Sequence, residues 1–259
     1  MTQAEKRLYL IKALLSERRC YDDTLIPGKA EEQKRLLRSL MNIRAPEKTN
    51  EDFIRIQDEY LRAETAAKGI TDFKTLVPIS DGIYLWQGDI TTLKCDAIVN
   101  AANSKMTGCY YPCHGCIDNA IHSFAGIGLR LECAELIKRQ GHDEPVGSAK
   151  ITGAYDLPCR YVIHTVGPFI GDAVTEEDEE ALASCYRSCL MTAEEYGLRS
   201  IAFCCISTGE FHFPNKRAAE IAVETVMSYK KRTDSKIEVI FNVFKSMDYE
   251  IYREILGEG

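Results

Sequence analysis

Apolar residues in the first seventy positions recur at helical spacing. Leu8, Leu10, Ile11, Leu14 and Leu15 make one stripe, Leu36, Leu37, Leu40 and Met41 a second, and Phe53, Ile54, Ile56, Tyr60 and Leu61 a third. Pro27-Gly28 and Ala45-Pro46 break the stripes. Asn50, ahead of Glu51 and Asp52, has the chemistry of a cap for the third helix. Residues 1–72 are therefore predicted to be a helical extension packed on a main domain spanning 73–259. A docking surface for a partner protein is the alternative use for it. No cluster of reactive side chains lies there.

From about residue 80 the period changes. Ile83–Gln87, Ala97–Asn100, Tyr161–Thr165, Ile201–Ile206 and Glu238–Phe244 are short β-branched or aromatic runs that read as strands. Helical patterns cover 118–139, 177–196, 214–230 and 248–256. Strands alternating with helices predict an α/β fold, a largely parallel sheet covered on both faces. In such folds ligands bind beyond the carboxyl ends of the strands. The acidic run Glu176–Glu180 reads as a solvated helix N-terminus favoured by the helix dipole.

Composition narrows the function classes. At 259 residues, 45% apolar and 27% charged, the chain is ordinary globular material. No apolar run reaches the ~18 residues a membrane span needs. The first residues, MTQAEKRLYLIKALL, carry charges inside their apolar pattern, unlike a secretory signal. A net charge of −7 argues against a nucleic-acid binder, but glycine loops and helix N-termini still bind small anions. With no export signal, the 11 cysteines point to a reduced, cytoplasmic protein rather than a disulfide scaffold.

Three loops carry chemistry. Val99-Asn100-Ala101-Ala102-Asn103-Ser104 leaves a strand and ends in amides suited to sugar hydroxyls. Cys109, Cys113, His114 and Cys116 put four soft or borderline donors within eight residues. Cys109, His114 and Cys116 match a catalytic zinc with three protein ligands and one open position. Cys113 is an alternative ligand, and a Cys113/Cys116 redox pair or inert thiols remain open readings. Asp118 follows at a predicted helix start, as a helix-terminal acid or as a carboxylate aimed at a hydroxyl or water. His122, one turn on, reads as a structural histidine on the same side. Finally, Ser207 through Pro214 runs from a strand into a helix through small residues, which lets backbone N–H groups approach a phosphate.

Together, Gly88-Asp89-Ile90-Thr91, Val99–Asn103, Gly147–Pro158, Tyr161–Pro168 and Ser207-Thr208-Gly209 resemble the macrodomain family over roughly 75–257. The Cys/His insertion and the helical extension are similar to its zinc-containing bacterial and fungal subgroup. The resemblance implies a three-layer α/β/α fold, with a mixed, largely parallel sheet, that recognises ADP-ribose. It further implies a Zn²⁺-dependent hydrolase that removes mono-ADP-ribose from proteins, with, as for some members of the subgroup, a lipoate-carrier protein modified by a sirtuin-type transferase as partner. A non-catalytic ADP-ribose reader and an O-acetyl-ADP-ribose deacetylase are the alternatives. By motif, Asp89 and Ile90 meet adenine, and Phe244 stacks on it. Ser207, Thr208, Gly209, Glu210 and Phe211 cradle the diphosphate, and Phe211 flanks the distal ribose. Asn103 faces that ribose. Asp118-Asn119-Ala120-Ile121-His122 resembles the Asp-Gly-Ala-Ile-His stretch of hydrolytic members, which places Asp118 in the catalytic loop. Two departures stand out: Cys109–Cys116 replaces a run of glycines, and Glu210 and His212 replace a small apolar residue and a glycine.

Overall fold

The computed structural model describes residues 1–17 and 25–257; the helicity expected across 18–24 and the last two positions of the predicted main domain lie outside the described residues. Three helices come first: α1 (Gln3–Ser16), α2 (Ala30–Ile43) and α3 (Glu51–Lys68). Thr2 and Glu5 form a reciprocal capping box on α1, and Asn50 Oδ1 accepts from Phe53 N at 2.7 Å to start α3. Their apolar stripes close on one another around Leu10, Leu14, Leu37, Phe53 and Tyr60, and Ile127 completes this small core from outside the bundle.

The rest is a six-stranded sheet with helices on both faces. Its strands are β2 (Ile83–Gln87), β4 (Ala97–Ala101), β5 (Ala149–Gly153), β6 (Tyr161–Thr165), β7 (Ser200–Phe203) and β8 (Glu238–Val243), in the order β2-β8-β7-β4-β6-β5. Every pair is parallel except the edge pair β5–β6. Two-residue strands β1 (Thr71–Asp72) and β3 (Leu93–Lys94) pair separately. Helices α4 (Ile117–Ala125) and α5 (Ile127–Gln140) follow β4, and α6 (Glu176–Glu195), α7 (Asn215–Thr233) and α8 (Ser246–Leu256) alternate with the later strands. None of the described helices is long and apolar enough to cross a membrane.

Three details depart from the sequence pattern. The single helix expected over 118–139 is two, broken at Gly126. There φ is +87°, and an added Cβ would sit 2.4 Å from the Gln57 amide of α3. Gln57 Oε1 accepts from Ile127 N at 3.0 Å, so the bundle caps the second helix. β7 ends at Phe203, not at Ile206, because Cys204–Ile206 already turn toward a left-handed Ser207 (φ 62°). β5 had no strand signal, since its half-buried Ala149, Lys150 and Ile151 occupy a sheet edge without alternation.

Candidate functional site

The carboxyl ends of β2, β8, β7, β4 and β6 share one rim of the sheet, where ligands bind in open α/β folds. The loops they launch form a cleft. At one end lies a buried polar network. Asn100 on β4 is in register with His164 on β6. Asn100 Nδ2 donates to Asp118 Oδ1 at 2.9 Å and contacts His164 Nδ1 at 3.1 Å. Asn103 Nδ2 donates to Asp118 Oδ2 (3.1 Å) and to the Gly108 carbonyl (3.1 Å), while its Oδ1 accepts from Lys105 N (3.0 Å). Both N–H groups of the Asn103 amide are thus engaged, leaving only carbonyl capacity for a ribose hydroxyl. Burial pushes Asp118 up to about 6, against the two amide donors and the Arg130 charge, which pull it down. Burial also pushes His122 down and holds His164 at about 3, so both rings are neutral.

His122 Nε2 lies 3.5 Å from Asp118 Oδ1, and neither ring nitrogen has a hydrogen-bond partner. His122, Cys133 and His164 bring donor atoms within 4.8 Å of one another below the cleft floor. Thr152 Oγ1 at 2.9 Å and Cys133 Sγ at 3.7 Å both face His164 Nε2, so this group supports the floor beneath Asp118.

Cys109, His114 and Cys116 converge above it, with all donor atoms within 4.8 Å of one another. Cys109 Sγ is 3.6 Å from His114 Nδ1. Zinc bonds of ~2.3 Å to sulfur and ~2.0–2.1 Å to nitrogen, at tetrahedral angles, separate such donors by about 3.6 Å. The donor set and its spacing therefore fit zinc. Cys113 is not among these three: its backbone is left-handed (φ 54°), and its Sγ faces Ser39 Oγ at 3.2 Å and the Arg35 carbonyl at 3.4 Å, both on α2. Cys116 caps α4, with its Sγ accepting from Asn119 N at 3.4 Å. Burial, followed by the neighbouring Cys109 and Asp118, lifts its thiol to about 12, a crowding of incipient anions that a cation would relieve.

The other end of the cleft is open. Ser207 (φ 62°) and His212 (φ 59°) bend the strand–helix loop; Phe213 N reaches the Ser207 carbonyl at 2.9 Å, and His212 N the Gly209 carbonyl at 3.1 Å. The N–H groups of Gly209, Glu210 and Phe211 take no acceptor among the described residues, as a phosphate cradle requires. Thr208 Oγ1 is turned to the Cys205 carbonyl at 3.0 Å, leaving its loop position rather than its hydroxyl to face a ligand. Glu210 Oε1 lies 3.5 Å from His114 Nε2, linking this loop to the Cys109–Cys116 loop. Phe211 packs edge-on against Phe169 at 5.9 Å.

Asp89 is less free than its motif suggests. One carboxylate oxygen accepts from Thr91 N and Oγ1, and the other holds Lys68 Nζ of α3 at 3.0 Å. Ile90 is 2% exposed, so its side chain belongs to the core and only its backbone can meet a base. Phe244 stands at the end of β8, 75% exposed. Residues that sequence reasoning passed over also border the cleft. Phe169 sits one position beyond the Tyr161–Pro168 motif. Lys68 and Arg38 lie in helices whose charged faces carried no special signal.

Comparison with known proteins fits this geometry. Residues 99–222 match the Macro domain family. A protein-ADP-ribose hydrolase of Treponema medium is 53% identical across 99% of this chain and 100% of that protein. A protein-ADP-ribose hydrolase of Staphylococcus aureus strain MSSA476 is 49% identical across 95% of this chain and 93% of that protein. A Trypanosoma brucei macrodomain, solved in complex with ADP-ribose, superposes with a TM-score of 0.66 at 30% identity, covering 85% of this chain and 95% of that one. With these relatives matched along nearly their whole length, the chain belongs to the Macro domain family.

Proposed function

We propose that this protein is a zinc-dependent hydrolase that releases mono-ADP-ribose from modified protein side chains. The observation that carries this reading is the Asn103 amide, which ties the Asp118 carboxylate to the Gly108 carbonyl, next to the donor Cys109. The names of its relatives and the ADP-ribose held by the trypanosomal macrodomain support the substrate class. Cys109, His114 and Cys116 would hold the metal, and zinc bound there supplies Lewis acidity beside the distal ribose.

In this reading the backbone N–H groups of Gly209, Glu210 and Phe211 bind the diphosphate, Ser207 and Thr208 shape the turn, and Phe244 covers the adenine. Asp89 shares its carboxylate between Lys68 and the adenine amine, and Ile90 contributes backbone. Asn103 offers its carbonyl to the ribose. Asp118, fixed by two amide donors, accepts a proton from the water or hydroxyl that reacts. The acceptor is a protein, with a lipoate carrier as first candidate. A reducing cytoplasm suits it: all ten cysteines of the described residues are free thiols.

The test is turnover on a mono-ADP-ribosylated acceptor with zinc-loaded, chelated and reloaded protein. The reading expects free ADP-ribose from the loaded and reloaded forms only. A reader would protect the label, a deacetylase would release acetate from O-acetyl-ADP-ribose and leave the protein label intact, and full activity without metal would reject the zinc role.

A further inference from the structure

The loop that carries the three metal donors has no helix or strand of its own between Ala102 and Cys116. Three donors from such a segment stay together only if something outside it holds them. Helix α2 supplies that hold. Arg38 donates through Nε and Nη2 to Asn119 Oδ1, at 3.2 and 2.7 Å, and through Nη2 to the His114 carbonyl at 3.0 Å. One turn on, Asn42 Oδ1 accepts from Cys113 N at 2.9 Å, and its Nδ2 donates to Ser123 Oγ at 2.8 Å.

Asn119 extends the arginine's reach. It is fully buried on α4. With Oδ1 turned to the guanidinium, its Nδ2 must face the other way. There it donates to the carbonyls of Cys109 (3.3 Å) and Tyr111 (3.0 Å), while its backbone N–H meets Cys116 Sγ. One guanidinium therefore touches each of the three donor residues, either directly or through Asn119. A lysine presents a point charge, not a planar fork, and could not hold the Asn119 oxygen and the His114 carbonyl in the same way.

We propose that Arg38 is a positioning residue of the metal centre: through Asn119 it sets the spacing of Cys109, His114 and Cys116, making the N-terminal bundle a working part of the site. This rests on the zinc reading above. It also accounts for an Asn at position 119, where the resembling motif has Gly.

The experiment measures metal affinity in the full chain. Wild type, Arg38→Ala, Arg38→Lys and Arg55→Ala are titrated with zinc against a chromophoric chelator, and with Co²⁺ read by its visible absorption. Arg55 is an exposed arginine on α3 whose ion pairs are with Asp52 and Glu59 of the same helix. Thermal melting and ADP-ribose binding report the fold. The proposal expects zinc affinity in Arg38→Ala to fall about 10–100-fold, as when an outer-shell partner is lost. It also expects an altered cobalt spectrum, an intermediate Arg38→Lys, wild-type behaviour in Arg55→Ala, and unchanged ADP-ribose affinity throughout. Wild-type affinity and spectrum in a folded Arg38→Ala overturn it. If that variant does not fold, Arg38→Lys decides, and wild-type metal affinity there overturns it equally. A wild-type chain that takes up no metal removes the zinc reading itself, a result separable from failure of the variants.

Discussion

The two ends of the cleft are built on different principles. At the Asp118 end the side chains that face the cleft are already held by protein partners: Asp118 is locked by Asn100 and Asn103, and Asn119 by Arg38 and two carbonyls. At the open end Phe244 is exposed and the N–H groups of Gly209, Glu210 and Phe211 have no acceptor among the described residues. The first end is organised before ligand arrives, as stabilising a transition state requires. The second is completed by the ligand itself. The chemistry and the affinity should therefore separate cleanly under mutation.

The largest effect is expected at the Asp118 end. Asp118→Ala should lower turnover by about 10²–10⁴, the usual contribution of a positioned acid–base group. ADP-ribose affinity, measured by calorimetry, should stay near wild type. A large loss of affinity would mean that Asp118 organises the nucleotide as well, and the division between the ends would collapse. Phe244→Ala tests the converse. A stacked aromatic contributes about 1–3 kcal/mol per base, so ADP-ribose should bind about 5–150-fold more weakly. Turnover at saturating substrate should hold, and the melting temperature should barely move, because the ring is solvated.

Gly108→Ala probes how firmly the organised end resists change. Gly108 has φ +81°, and an added Cβ would lie 2.8 Å from the His122 ring, itself packed below Asp118. Strain of this kind costs about 1–3 kcal/mol and should appear as a lower melting temperature together with weaker metal binding. A variant with wild-type stability would mean that the floor beneath Asp118 yields, and that the end is less rigid than its hydrogen bonds imply.

The open end was the more legible of the two in the amino-acid pattern. Its loops follow strands that announce themselves by β-branched runs, and small residues mark the turn whose N–H groups take no acceptor among the described residues. The Cys109–Cys116 loop was half legible. Spacing offered Cys109, Cys113, His114 and Cys116 as donors but could not say which thiol turns away. What turns Cys113 is α2, whose Asn42 and Ser39 lie more than seventy positions earlier. Arg38 was hidden for the same reason: on a charged amphipathic helix it looks like any solvated residue, and its partner Asn119 is 81 positions distant. The break at Gly126 was equally silent, since a glycine inside a helical pattern is tolerated until a neighbour such as Gln57 needs its space. Local periodicity reports which face is buried, not which distant side chain waits there.

The smallest effect should come from Lys68, which intrudes from the bundle into the open end. Its ammonium holds Asp89 Oδ2 at 3.0 Å and lies 3.3 Å from the centre of the Phe124 ring. Both partners of the ion pair are about one-third exposed, where such pairs contribute about 0–1 kcal/mol. Lys68→Ala should therefore change stability little. It should strengthen ADP-ribose binding by up to about fivefold, because the freed carboxylate oxygen becomes available to the adenine amine. Raising the salt concentration should bring the wild type closer to the variant, since screening weakens the competing pair. Weaker binding in Lys68→Ala would reverse the assignment, making the ammonium a contact of the nucleotide, and the open end would then hold one preformed partner of its own.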